Sequence, residues 1–154
     1  MPKTHKVKLN NKNTRKNFSM GVKTLDQFER QVVVRFLEML NLIKLYHWKT
    51  YSYSTHKATD ELYSKLNENI DTFVEVLLGK RGDRVNLMNV KSTSLKDLNS
   101  VHDLKREMVA FKSYLVSFDR LPALMTMSNS DLLNIRDEIL GTINQFLYLL
   151  TFTK

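Results

Sequence analysis

The sequence predicts an all-α protein built as a bundle of four long helices. Apolar residues recur every three or four positions through four separate stretches. Glycine and proline are scarce, four and two in 154 residues, and Gly79, Gly82 and Pro122 fall between those stretches. The length suits one domain with a proper core, and 42% hydrophobic with 26% charged residues fits a soluble globular chain. The expected organisation is a disordered basic tail over residues 1–23 and a bundle domain over residues 24–154.

The first helix is expected from Leu25 to about Tyr51. Thr24 caps it, with Gln27 at the capping-box position three residues on. Phe28, Val32, Phe36, Leu40 and Ile43 form its inward stripe, and His47 is the next member. Ser54 or Thr55 caps the second helix, which stops at Gly79 in the cluster Gly79-Lys80-Arg81-Gly82. A polar connection from Asp83 to Ser94 follows, with a short extra helical turn over Leu95 to Leu98.

The third helix covers about Val101 to Phe118, turning Leu104, Met108, Phe111, Tyr114 or Leu115, and Phe118 inward; Pro122 marks the break after it. Ser128 or Ser130 caps the last helix, which carries Leu132, Ile135, Ile139, Ile143, Phe146 or Leu147, and Leu150. Four long helices with one longer middle connection give an up-down-up-down bundle or a ferritin-like one.

Composition removes several classes of chemistry. Cysteine is absent, which excludes thiolate zinc, iron–sulfur clusters, disulfides and cysteine catalysis. No run approaches the length of a membrane span and no apolar stretch follows the basic N-terminus, so no membrane partner, anchor or secretory signal is expected. Nothing resembles a phosphate-cradling glycine loop or a nucleophile triad.

The chemistry concentrates between His47 and Glu75. His47, His56, Asp60, Asp71 and Glu75 combine imidazole with carboxylate, the ligand set that suits iron, zinc and manganese. On a helix, Asp60, Asp71 and Glu75 stand about 40°, 60° and 100° round from His56, so all four share one face, bordering the apolar stripe of Tyr63, Leu66, Ile70 and Leu77. Asp60 and Asp71 are nevertheless roughly 16 Å apart along the axis, too far for one ion. His56 with Asp60, and Asp71 with Glu75, each at the i, i+4 spacing, are therefore two half-sites. A two-fold axis near the middle of this helix joins the first half-site of one chain to the second of its copy, giving two identical metal sites at a dimer interface. His47 joins the first half-site across a short loop.

The string Tyr46-His47-Trp48, then His56, Asp60-Glu61-Leu62-Tyr63, Asp71 and Glu75 resembles Dps, the ferritin-like "DNA-binding protein from starved cells". In that family a histidine followed by tryptophan closes the first helix and the second opens with His-x-x-x-Asp. Aspartate and glutamate then stand eleven and fifteen residues beyond that Asp. The resemblance covers roughly residues 25 to 150 in outline, and its specificity lies in the metal segment. It implies a ferritin-like four-helix bundle that oxidises Fe(II), usually with hydrogen peroxide, and stores the ferric product in a hollow twelve-subunit shell. It also implies that His47, His56 and Asp60 of one chain and Asp71 and Glu75 of its partner hold one or two irons, with zinc or manganese as substitutes. The Glu-x-x-His pairs of classical ferritins are absent, which argues against a di-iron centre inside one bundle.

Charge supplies a second feature. Lys3, Lys6, Lys8, Lys12, Arg15, Lys16 and Lys23 give the first 23 residues seven positive side chains and no acidic one, leaving 17 basic against 16 acidic residues elsewhere. Asparagine interleaving and the lack of an apolar pattern indicate disorder to about Phe18. Such an arm suits phosphate backbones and non-specific DNA binding, and a multimeric shell multiplies weak arms into avidity. A cytoplasmic or nucleoid-associated protein fits this reading, as does a virus-encoded or virion-packaged one. The alternatives are a DNA-compacting or structural ferritin-like oligomer whose metal site has decayed, and a plain helical interaction module. His5 is expected to be solvated, His102 to be a capping or surface group, and Trp48 and Tyr63 to pack beside the interface.

Overall fold

The computed structural model describes residues 24–125 and 128–152, so the tail residues Lys3, Lys6, Lys8, Lys12, Arg15 and Lys16 lie outside the described residues. Among the described residues every regular element is helical. Helix α1 (Leu25–Lys49) starts behind Thr24, whose hydroxyl accepts from the Gln27 amide at 3.2 Å, the cap the spacing predicts. It ends two residues before Tyr51.

Helix α2 (Tyr53–Arg81) is capped by Ser52 rather than Ser54 or Thr55. The Ser52 hydroxyl accepts from the Thr55 amide at 3.3 Å, which leaves only residues 50–52 between the first two helices. This helix also passes through Gly79 and stops at Gly82. Gly82 takes a φ of 70°, the left-handed conformation that closes a helix and that only glycine adopts freely. Gly79 keeps a negative φ, so its cost is that of a weak helix former and not of a stop.

Helix α3 (Val101–Val116) begins at Ser100, which accepts from the Asp103 amide at 3.1 Å. It tightens into 3-10 turns at Ser117–Arg120 and Pro122–Leu124. Helix α4 (Ser130–Leu149) follows Asn129 with no side-chain cap from Ser128 or Ser130. Asp131 occupies its first turn instead, accepting from the Leu132 amide at 2.9 Å and pairing with Lys80 at 2.8 Å. The Lys80 bond holds the Asp131 carboxyl below its ordinary range. That contribution to stability is present above the usual carboxylate pKa and is lost as pH falls through the lowered value.

Contacts at the helix ends fix the direction of each element. Arg81, at the end of α2, pairs with Asp26 and Glu29 at the start of α1. Lys49, at the end of α1, reaches Asp97 and Asn99 just before α3, both at 2.9 Å. The connection from Gly82 to Ser100 therefore crosses the length of the bundle, and α3 runs parallel to α2. Lys80 meets the start of α4, and Lys105 near the start of α3 donates to the Leu150 carbonyl at its far end, 3.0 Å away. The order is up-down-down-up with one long crossover, which decides against an up-down-up-down bundle.

The helical turn expected over Leu95–Leu98 does not form. A crossover of 19 residues follows α2, about 43 Å long, as irregular chain with no helical turn of its own. The crossover is pinned through side chains instead: the Ser94 amide donates to Glu38 at 2.8 Å, Lys96 pairs with Glu107 at 2.8 Å, and Leu98 is buried.

The predicted inward residues of α1 are all buried, as are Leu104, Met108, Phe111 and Phe118. Where the sequence left a choice, Leu115 and Phe146 are the buried members; Ile135 and Leu150 are partly buried. Phe73 forms the centre of an aromatic cluster, with ring centroids 6.4 Å from Phe28, 5.3 Å from Phe36 and 6.0 Å from Phe118. Phe73→Ala is expected to lower unfolding free energy by about 3–5 kcal/mol in denaturant titrations, because the rings around it cannot close the space. Buried charge is matched in place. Glu29 is held by Arg81, while Arg136 donates to the Leu115 carbonyl at 3.1 Å and to Asp119 at 3.0 Å, closing the end of α3.

Candidate metal centre

His47 lies in the last turn of α1 and His56 in the first turn of α2, on either side of the three-residue connection. That short link forces the two imidazoles together. Each ring donates from Nδ1 to the backbone carbonyl of the other residue, both at 3.0 Å. The rings stack with centroids 3.9 Å apart and planes 23° from parallel. A carbonyl oxygen only accepts, so the proton of each neutral ring resides on Nδ1 and each Nε2 keeps a free lone pair. Such a backbone bond on one ring nitrogen is how metal-ligating histidines are commonly oriented.

Asp60 stands one turn beyond His56, with its carboxylate 3.9 Å from His47 Nε2. His47 is 7% exposed and inward as predicted, His56 is half-buried, and Asp60 is exposed. The structure thus brings His47 beside both His56 and Asp60 where α1 meets α2.

Asp71 and Glu75 lie on the same helix roughly 16 and 22 Å further along and are not brought to the histidines. The expectation that the acids border the apolar stripe does not hold in the single chain: Asp60, Asp71 and Glu75 are all exposed. The buried stripe of α2 is narrower than expected, running through Thr59, Leu62, Leu66, Ile70, Phe73 and Leu77, and these acids stand about 120–180° round from Leu66. Among the described residues of one chain, no three histidine or acidic side chains are gathered closely enough to hold an ion.

Two neighbours escaped the sequence reading. Thr59 is fully buried, and its hydroxyl oxygen lies 3.2 Å from His47 Nδ1. A polar residue on the core stripe three positions after His56 was the available signal. Lys44 places Nζ 4.5 Å from the Tyr63 ring centroid and 5.9 Å from that of Trp48, tying the two aromatics to a cation beside the centre. Trp48 itself is 69% exposed, and His102 is a surface residue as predicted. No helix among the described residues is long and apolar enough to cross a membrane.

A family model described as Family of unknown function (DUF5856) matches residues 47–150. The chain belongs to this family. The DUF5856 match takes in all five candidate ligands along with α2, α3 and α4. No curated protein and no solved structure matches the chain.

Proposed function

We propose that this DUF5856 chain is a ferritin-like protein of the Dps type that oxidises Fe(II) at sites shared between two subunits. The observation that carries the reading is the histidine pair. Two imidazoles, each committed at Nδ1 to a backbone carbonyl and free at Nε2, stand beside a carboxylate at the mouth of a helix pair. The donor set of two nitrogens and one oxygen fits iron, with manganese or zinc as substitutes, and is incomplete alone. Asp71 and Glu75 complete it from a second chain laid antiparallel along α2. The single long crossover between the second and third helices supports the ferritin-like assignment, and a twelve-subunit shell is the assembly expected of that family resemblance.

In the proposed reaction Fe(II) is the substrate. One hydrogen peroxide takes one electron from each of two Fe(II) ions, its O–O bond breaks, and two protons complete two waters. Carboxylates favour the harder Fe(III) product, while the histidines hold Fe(II) and leave positions open to the oxidant.

Crystals soaked anaerobically in Fe(II) test the reading. The expected result is metal bound by His47, His56 and Asp60 of one chain together with Asp71 and Glu75 of its two-fold copy. A protein that stays monomeric, or a two-fold cleft that takes up no metal, overturns it; the latter leaves a DNA-compacting oligomer with a decayed site.

The basic tail is assigned to non-specific DNA binding on its charge. Removing residues 1–18 is expected to abolish salt-sensitive DNA retention in a gel-shift assay while leaving Fe(II) oxidation within about twofold of the full chain. Undiminished DNA binding by the truncated protein would sink the assignment.

A further inference from the structure

We infer that Thr59 is a positioning residue for the histidine pair, an inference that rests on the metal reading above. Thr59 is the one polar residue of α2 that is buried, on a stripe otherwise made of leucine, isoleucine and phenylalanine. A valine would fill the same space with no hydroxyl to satisfy, so the hydroxyl calls for a reason.

The hydrogen-bond geometry supplies one. Thr59 Oγ1 lies 2.8 Å from the Thr55 carbonyl and 3.0 Å from that of His56, and its hydroxyl has a single hydrogen to give. His47 Nδ1 lies 3.2 Å from the same oxygen. Because the His56 carbonyl already requires Nδ1 of His47 to be the donor, the Thr59 hydrogen turns toward a carbonyl and its lone pair faces the ring. The Nδ1–H of His47 therefore meets two acceptors at once, one on the backbone and one on a side chain anchored in the core. That fixes ring rotation as well as tautomer, and it aims Nε2 outward toward Asp60. Asp60 is the next residue along α2, so one helical segment sets both the imidazole and the carboxylate.

The test uses the full chain, Thr59→Val, which keeps the branched shape, and Thr59→Ser, which keeps the hydroxyl. The first readout is anaerobic titration with Co(II) alone, followed by visible absorption. Thr59→Val is expected to weaken Co(II) binding by about 10–100-fold, with Thr59→Ser within about threefold of the parent. The second readout needs no metal: the His47 Nδ1–H proton, followed by nitrogen-15 NMR, is expected to exchange with solvent roughly tenfold faster in Thr59→Val only.

Parental Co(II) affinity in Thr59→Val, or failure of Thr59→Ser to restore it, overturns the role of Thr59 and leaves the metal reading standing. If the parent protein takes up no Co(II), the metal reading falls. The exchange rate in metal-free protein then decides whether Thr59 holds the ring, and equal rates in all three proteins rule that out.

Discussion

Two inactive variants, Asp60→Asn and Asp71→Asn, are expected to regain Fe(II) oxidation when their subunits are mixed. Each change alone removes one carboxylate from every shared site and should lower the initial peroxide-dependent rate by about 100-fold or more. The two lesions fall in different half-sites. In a mixed dimer, one site therefore receives His47, His56 and Asp60 from the Asp71→Asn chain and Glu75 with an intact Asp71 from the other. The second site carries both lesions. With random pairing half the dimers are mixed and one site in two is whole, so activity should return to about a quarter of the parental value. Co-expression, or unfolding and refolding the two variants together, makes the measurement. A mixture as silent as its parents would rule out the shared site, since a centre built inside one chain gains nothing from exchange.

A single cysteine at Asn67 is expected to form a disulfide-linked dimer on mild oxidation. The proposed antiparallel pairing, which joins His56 and Asp60 to Asp71 and Glu75, puts the two-fold axis midway between the clusters, close to residues 65–67 of α2. Asn67 is exposed and points about 100° round from the core position Leu66, on the side of α2 that faces out beside α1. In that proposed pairing it is expected to meet its own copy across the axis, within the roughly 4.4–6.8 Å between Cα atoms that a disulfide spans. The chain has no cysteine, so a shifted band on a non-reducing gel has one source. Asn134→Cys, at an exposed position on α4, serves as the control and should stay monomeric on the gel. Efficient cross-linking at Asn134 and none at Asn67 would place the interface on another face.

Much of the architecture was legible because its causes are local. Thr24 and Gln27 sit within one turn of chain, and the stripe from Phe28 to Ile43 repeats at the helical period; both survive folding unchanged. Gly79 and Gly82 look alike in sequence, and only the backbone conformation tells which one ends the helix. The region from Leu95 to Leu98 misled for a non-local reason. Its short-range pattern allows a helical turn, yet contacts distant in sequence hold it as irregular chain: Ser94 to Glu38, Lys96 to Glu107, and Leu98 against the core. At the site, the spacing of the candidate ligands could be read from side-chain periodicity, which groups His56 with Asp60 and separates Asp71. The stacking of the histidines and the approach of the Thr59 hydroxyl to His47 could not, because they depend on how tightly residues 50–52 fold the chain back; only the place of Thr59 on the core stripe was visible.

The reciprocal bonds between His47 and His56 have a consequence for how the chain can change. The His47 carbonyl lies in the last turn of α1, where helix geometry leaves carbonyls without an amide partner, and the His56 ring fills that vacancy. His56 is thus a helix terminator as well as a proposed ligand, and its rotamer is settled before any ion arrives. Capture then costs little further loss of side-chain freedom. Losing the imidazole would also loosen the turn between α1 and α2, so drift at this position is resisted by architecture even where selection for chemistry has relaxed.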